Sequence, residues 1–106
     1  MRFARRLMGA VVFGALAVGN ILAQDAATLY QRATAATCAN CHGTDGRTVN
    51  GSEVPALAGM PKAYMLVQMR AFRDGARPAT VMHQLTKGLT DQQIESVADY
   101  FAAIKR

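Results

Sequence analysis

The first apolar stretch of the chain, Leu7 to Ala23, is uncharged and unbroken by any polar period. From Asp25 onward the apolar positions become spaced. Asp25 to Thr37, DAATLYQRATAAT, is rich in alanine, with Leu29, Ala33 and Ala36 on one stripe, and predicts a helix. Residues 43 to 59, GTDGRTVNGSEVPALAG, hold four glycines and a proline and predict a loop. Pro61 then stands where a first helical residue would. A helix is predicted through PKAYMLVQMRAFRD, capped by Gly75. Met65, Met69 and Phe72 share one face of it, with Tyr64 and Gln68 alongside.

A second loop, GARPATVMHQLTKGL, carries a short helical turn around Val81 to Lys87. The strongest pattern comes last. Thr90 and Gln93 form a T-x-x-Q capping box. Ile94, Val97, Ala98, Phe101 and Ile104 follow at three- and four-residue steps. Lys105 and Arg106 fall at the C-terminal end, where the helix dipole favours cations. No strand-length alternation and no internal repeat is present, so the pattern predicts an all-α domain of three main helices.

The N-terminal stretch changes this picture. Arg2, Arg5 and Arg6 precede the apolar run, and small residues close it, the layout of a secretory signal peptide cut after Ala23. A retained anchor is the alternative, since the run sits at the short end of the ~17–25 residues that span a bilayer. The reading adopted is a signal peptide over residues 1–23 and one domain over 24–106, exported to the periplasm with no stable membrane insertion after cleavage. Cleavage removes three arginines and no acids, so the net charge falls from +5 to +2. The basic balance therefore belongs mostly to the leader, and nucleic acid is excluded as a partner class. What remains is short for a self-sufficient apolar core, and such domains often need a metal, a disulfide or a cofactor.

Both cysteines lie in TCANCHGTDG, residues 37 to 46. Cys38 and Cys41 are followed at once by His42, the C-x-x-C-H spacing of c-type haem attachment. The requirement is geometric. Two thiols add to the two vinyl groups on one edge of a porphyrin, and the next histidine presents its imidazole to the iron from the same side. Two rival readings are a dithiol redox pair and a zinc site. A thioredoxin-like pair belongs in a βαβ context, which this sequence lacks. Structural zinc needs four ligands, usually in two spaced pairs, and there is no second C-x-x-C. One covalent haem c would also supply the apolar surface that the short chain lacks.

With His42 on the iron, the occupant of the remaining axial position separates an electron carrier from an open-iron enzyme or gas sensor. Met60, Met65, Met69, Met82 and His83 are the candidates. Met65 and Met69 read as helix-face filler. Met82, in the loop before the last helix, is the favoured ligand. His83 beside it reads as an ordinary, partly exposed histidine.

From Thr28 to Lys105 the chain resembles a class I cytochrome c, closest to the cytochrome c4 branch and the haem subunit of flavocytochrome c sulfide dehydrogenase. CANCHGTDG resembles that family's haem segment, and VPALAG, residues 54 to 59, its proline stretch. AYMLVQMRAFRDGAR and ATVMHQLTKGLTDQQIESVADYF resemble its middle helix and its axial-methionine segment. The resemblance implies a class I fold, three main helices around one covalent haem. It implies His42 and Met82 as axial ligands, the Pro55 carbonyl holding His42 Nδ1, and Leu57 packed on the haem. Val97 and Tyr100 fall where the last helix meets the first. Tyr64, Arg73 and Arg77 are the counterparts of groups near the propionates.

Two departures stand out. Typical c4 proteins carry two haem domains and this chain has one motif. Their LAGQ is LAGM here, at Met60. The resemblance implies a non-enzymatic carrier of single electrons, as the haem subunit or acceptor of a flavoprotein sulfide dehydrogenase. The alternatives are a free c4- or c5-like carrier to a terminal oxidase or reductase, and an open-iron haem protein.

Overall fold

A computed structural model of the protein describes residues 22–106. The signal peptide read over residues 1–23 lies outside the described residues, apart from Leu22 and Ala23. Residues 22–30 are helical and exposed throughout, and belong to a first unit. The second unit, Gln31–Arg106, carries the candidate site. It comprises α1 (residues 31–36), α2 (Ala39–His42), a 3₁₀ turn (Thr44–Gly46), α3 (Lys62–Asp74), α4 (Met82–Lys87) and α5 (Asp91–Ala103). Every regular element among the described residues is helical.

α5 is the spine of this unit. Thr90 Oγ1 accepts from the Gln93 backbone N–H at 3.2 Å, and Gln93 Oε1 accepts from the Thr90 N–H at 2.9 Å. The predicted capping box is therefore formed. Its apolar stripe is buried: Ile94, Val97, Ala98 and Phe101 are each at most 1% exposed. Burying side chains such as Ile94, Val97 and Phe101 contributes roughly 1.5–3 kcal/mol apiece. Ile104 ends the helix in an extended conformation, so Lys105 and Arg106 lie beyond the last turn rather than within it. Thr90→Ala is expected to lower the stability of the haem-loaded protein by about 1 kcal/mol. Chemical denaturation would read this, and an unchanged midpoint would deny the cap any role.

α3 packs on both α4 and α5. Pro61 turns out to be its N-cap, with ψ 131°, so the helix starts one residue later than predicted. Gly75 closes it in the left-handed region at φ 79°, as a C-terminal glycine should. Met65 and Met69 are buried in the core, while Phe72 is half-buried.

The first helix departs from expectation. Leu29, Ala33 and Ala36 are exposed, and burial falls on Ala35, with Gln31, Thr34 and Cys38 half-buried. That face has helical spacing too, but it is polar and small. Ala35 joins the cluster containing Ala98, and Gln31 Nε2 donates to Ser96 O at 3.0 Å. In an alanine-rich helix apolarity does not mark the inner face, because every face is nearly as apolar.

Candidate functional site

Cys38 is the N-cap of the four-residue α2, and its carbonyl accepts from the N–H groups of Cys41 and His42 at 3.3 and 3.0 Å. Side chains three apart on one turn lie on the same side of it. Both thiols are free. Cys38 is half-buried against the apolar core and Cys41 is exposed. Burial pushes the Cys38 thiol above its ordinary pKa, outweighing the lowering effect of its hydrogen bond with Thr37. Among the described residues, no group of three or more His, Cys, Asp or Glu side chains is placed to share a metal ion.

His42 ends α2 and is buried, at 7% exposure. Its Nδ1 lies 2.7 Å from Pro55 O. A carbonyl oxygen can only accept, so Nδ1 carries a proton, and in the neutral imidazole the lone pair is then on Nε2. That is the tautomer a metal-ligating histidine needs. The loop supplying Pro55 is held in turn. Gly46 O accepts from the N–H groups of Leu57 and Ala58 at 2.8 and 3.2 Å, and Gly59 N donates to Phe101 O at 2.9 Å. Leu57 and Met60 pack against the core from the same stretch.

Met82 is the first residue of α4 and is half-buried. Its carbonyl accepts from Thr86 Oγ1 at 2.8 Å, which anchors the short helix through a fully buried threonine. His83 is partly exposed, and its Nδ1 atom is buried with no hydrogen-bond partner among the described residues. Tyr64 is exposed on α3. Arg77 donates to Gln68 Oε1 and stacks over the Phe72 ring, 4.5 Å from its centroid. Arg73 donates to Asp91 at 2.7 Å and to Asp74 at 3.5 Å. That contact holds the Asp91 carboxyl below the usual carboxylate range. Tyr64, Val67, Val81 and Leu85 on or beside α3 and α4 are each about half exposed.

Free thiols on one turn and a histidine in the ligating tautomer fit a covalently attached haem. The cytochrome c family profile matches residues 23–105. This chain belongs to the cytochrome c family. The cytochrome is 35% identical, over 95% of its length, to the thiosulfate dehydrogenase electron acceptor of Thiomonas intermedia strain K12, of which it covers 45%. It is 36% identical, over 66% of its length, to the cytochrome subunit of sulfide dehydrogenase of Chlorobaculum tepidum, covering 62% of that protein. The solved structure of Acidithiobacillus ferrooxidans cytochrome c4 superposes with a TM-score of 0.59 at 36% identity, over 63% of this chain and 38% of that one. The all-α, class I cytochrome c fold expected from the sequence is thereby established. The cytochrome spans less than two thirds of the length of each of these relatives.

Asp45, Gly46 and Tyr100 were not singled out as site residues by the pattern of the sequence. Asp45 and Tyr100 pair across 55 positions through a 2.8 Å hydrogen bond. Asp45 is also the one non-glycine residue with positive φ among those described. The D-G step in CHGTDG was the available signal, since such pairs favour left-handed turns.

Proposed function

We propose that this cytochrome is an exported, periplasmic carrier of single electrons holding one haem c. Cys38 and Cys41 attach the haem, and His42 and Met82 ligate the iron. The observation that carries this reading is the His42 Nδ1–Pro55 O hydrogen bond beside two free thiols on one turn. When bound, the haem supplies a one-electron ferric–ferrous couple. The chain's part is to fix the His42 tautomer, to hold Met82 on the Thr86-anchored turn, and to place apolar side chains around the group. No helix among the described residues is long and apolar enough to cross a membrane. The signal reading of residues 1–23 accounts for export, and export brings the thiols to the compartment in which haem is attached.

The partner proposed is a flavoprotein dehydrogenase acting on reduced sulfur, with this chain as its haem subunit or acceptor. The relatives named as a sulfide dehydrogenase subunit and a thiosulfate dehydrogenase acceptor support that class. A free carrier to an oxidase or reductase is the alternative, and recovery of the chain from native periplasm without a flavin subunit would favour it.

The first test is the visible and near-infrared spectrum of the purified protein with Met82→Ala alongside. The expected result is a low-spin c-type spectrum with the weak far-red methionine–iron band in the wild type. In Met82→Ala that band is lost and the reduction potential falls, because thioether ligation favours the ferrous state. A high-spin wild-type spectrum would overturn the carrier reading. A bis-histidine spectrum would transfer the ligand role to His83.

A further inference from the structure

The hydrogen bond on His42 does not stand alone. It is the last link of a chain of contacts that begins on α5. Tyr100 Oη donates to Asp45 Oδ1 at 2.8 Å, and Arg47 Nη1 approaches the other oxygen, Oδ2, at 3.5 Å. Arg47 Nη2 in turn donates to Lys105 O at 2.9 Å. Asp45 is thereby held in the left-handed region, at φ 54° and ψ 25°. A non-glycine residue persists there only when its surroundings over-determine it. The next residue, Gly46, presents the carbonyl that receives both Leu57 N and Ala58 N. Those two groups begin two residues after Pro55, whose carbonyl meets His42.

We infer that Tyr100 and Asp45 are positioning residues for the proximal histidine and help to set the reduction potential of the iron. This rests on the haem reading above. A firm acceptor on Nδ1–H gives the imidazole more anionic character, which strengthens it as a donor and favours the ferric iron. Loosening Asp45 lets the Gly46 carbonyl shift, and the segment from Pro55 to Ala58 shifts with it. The Nδ1–H···O bond then weakens and the potential rises. Tyr100 suits the task as a donor, because its hydrogen bond with Asp45 and its burial both raise its pKa and keep the phenol protonated. Its ring is fixed edge-on to Phe101, centroids 5.1 Å apart.

The test uses the haem-loaded protein and five variants. Tyr100→Phe and Asp45→Ala are expected to raise the midpoint potential by similar amounts. In both, the His42 Nδ1 proton should exchange roughly tenfold faster by NMR, the order of loss when one hydrogen bond is weakened. Asp45→Asn keeps an acceptor oxygen and tolerates positive φ, so it should stay near wild type. The double variant Tyr100→Phe/Asp45→Ala should move the potential no further than either single change, because the two residues act through one contact.

Ile94→Val, in the core but outside this chain of contacts, should lower stability and leave the potential unmoved. A Tyr100→Phe protein that melts earlier with wild-type potential and wild-type proton exchange would overturn the inference and leave a merely structural bond. So would additive shifts in the double variant. If Tyr100→Phe does not fold, the Asp45→Ala and Asp45→Asn comparison carries the decision alone. The far-red methionine–iron band, followed in every variant, separates failure of this inference from failure of the His42/Met82 assignment.

Discussion

Replacing both Cys38 and Cys41 by alanine is expected to leave the chain without a stable fold. The fully apolar core of the described residues consists of Ala35, Ala58, Met65, Met69, Ile94, Val97, Ala98 and Phe101. Three of these are alanines, which bury little area each. At about 25 cal/mol per Å² of buried apolar surface, so small a core barely offsets the ordering of a chain this size. α2 and α4 are single short turns and cannot persist alone, because helix nucleation is unfavourable below roughly 12–15 residues. A covalently attached apolar macrocycle removes the deficit, and it cannot be lost by dilution. Far-ultraviolet circular dichroism of the double variant should show most of the helical signal gone, with rapid proteolysis. A wild-type helical spectrum with a cooperative melt would show instead that the polypeptide folds unaided.

Gly46→Ala is expected to destabilise the haem-loaded protein by about 3 kcal/mol, combining left-handed backbone strain with overpacking. Gly46 adopts φ +73°. A Cβ there would lie 2.8 Å from Leu57 Cβ, 2.9 Å from Ala58 N and 2.9 Å from Phe101 Cδ1. Two of these neighbours are backbone or near-backbone atoms, and Phe101 is fully buried in the core. None can retreat without moving α5 or the Pro55 segment. Denaturant unfolding followed at the haem absorption would measure the loss. A midpoint within error of wild type would show that the loop gives way more easily than its contacts indicate. Gly75 is the natural control: it too has positive φ, but a Cβ there meets nothing within 4 Å. Gly75→Ala should therefore cost only the backbone term, about 1 kcal/mol.

The site is built from two kinds of information. The C-x-x-C-H spacing is local, since one turn of backbone places Cys38, Cys41 and His42 together. The α5 stripe and the Thr90–Gln93 capping box are local as well, and so were readable as periods and fixed offsets. α3 and the short α4 were readable for the same reason, apart from one residue at Pro61. The inner face of α1 was not, because alanine on every side leaves no contrast. The partners of Arg77 and Arg73 were also unreadable, since a solvated arginine and a paired one look alike in sequence.

By itself, the sequence determined the C-x-x-C-H spacing at Cys38, Cys41 and His42, the helical character of the described residues, and where the last helix begins. Local hydrogen bonds and side-chain periodicity specify those features within a few residues. Only the tertiary structure decided that Tyr100 grips Asp45 across 55 positions, that Gln31 reaches Ser96 across 65, and that Arg47 reaches Lys105 across 58. It also decided that the His83 Nδ1 atom is buried without a hydrogen-bond partner among the described residues. Contacts of this kind join single polar groups whose neighbours in the chain show no pattern. Their formation depends on how the hydrophobic core brings distant segments together, and that is settled only when the whole chain packs.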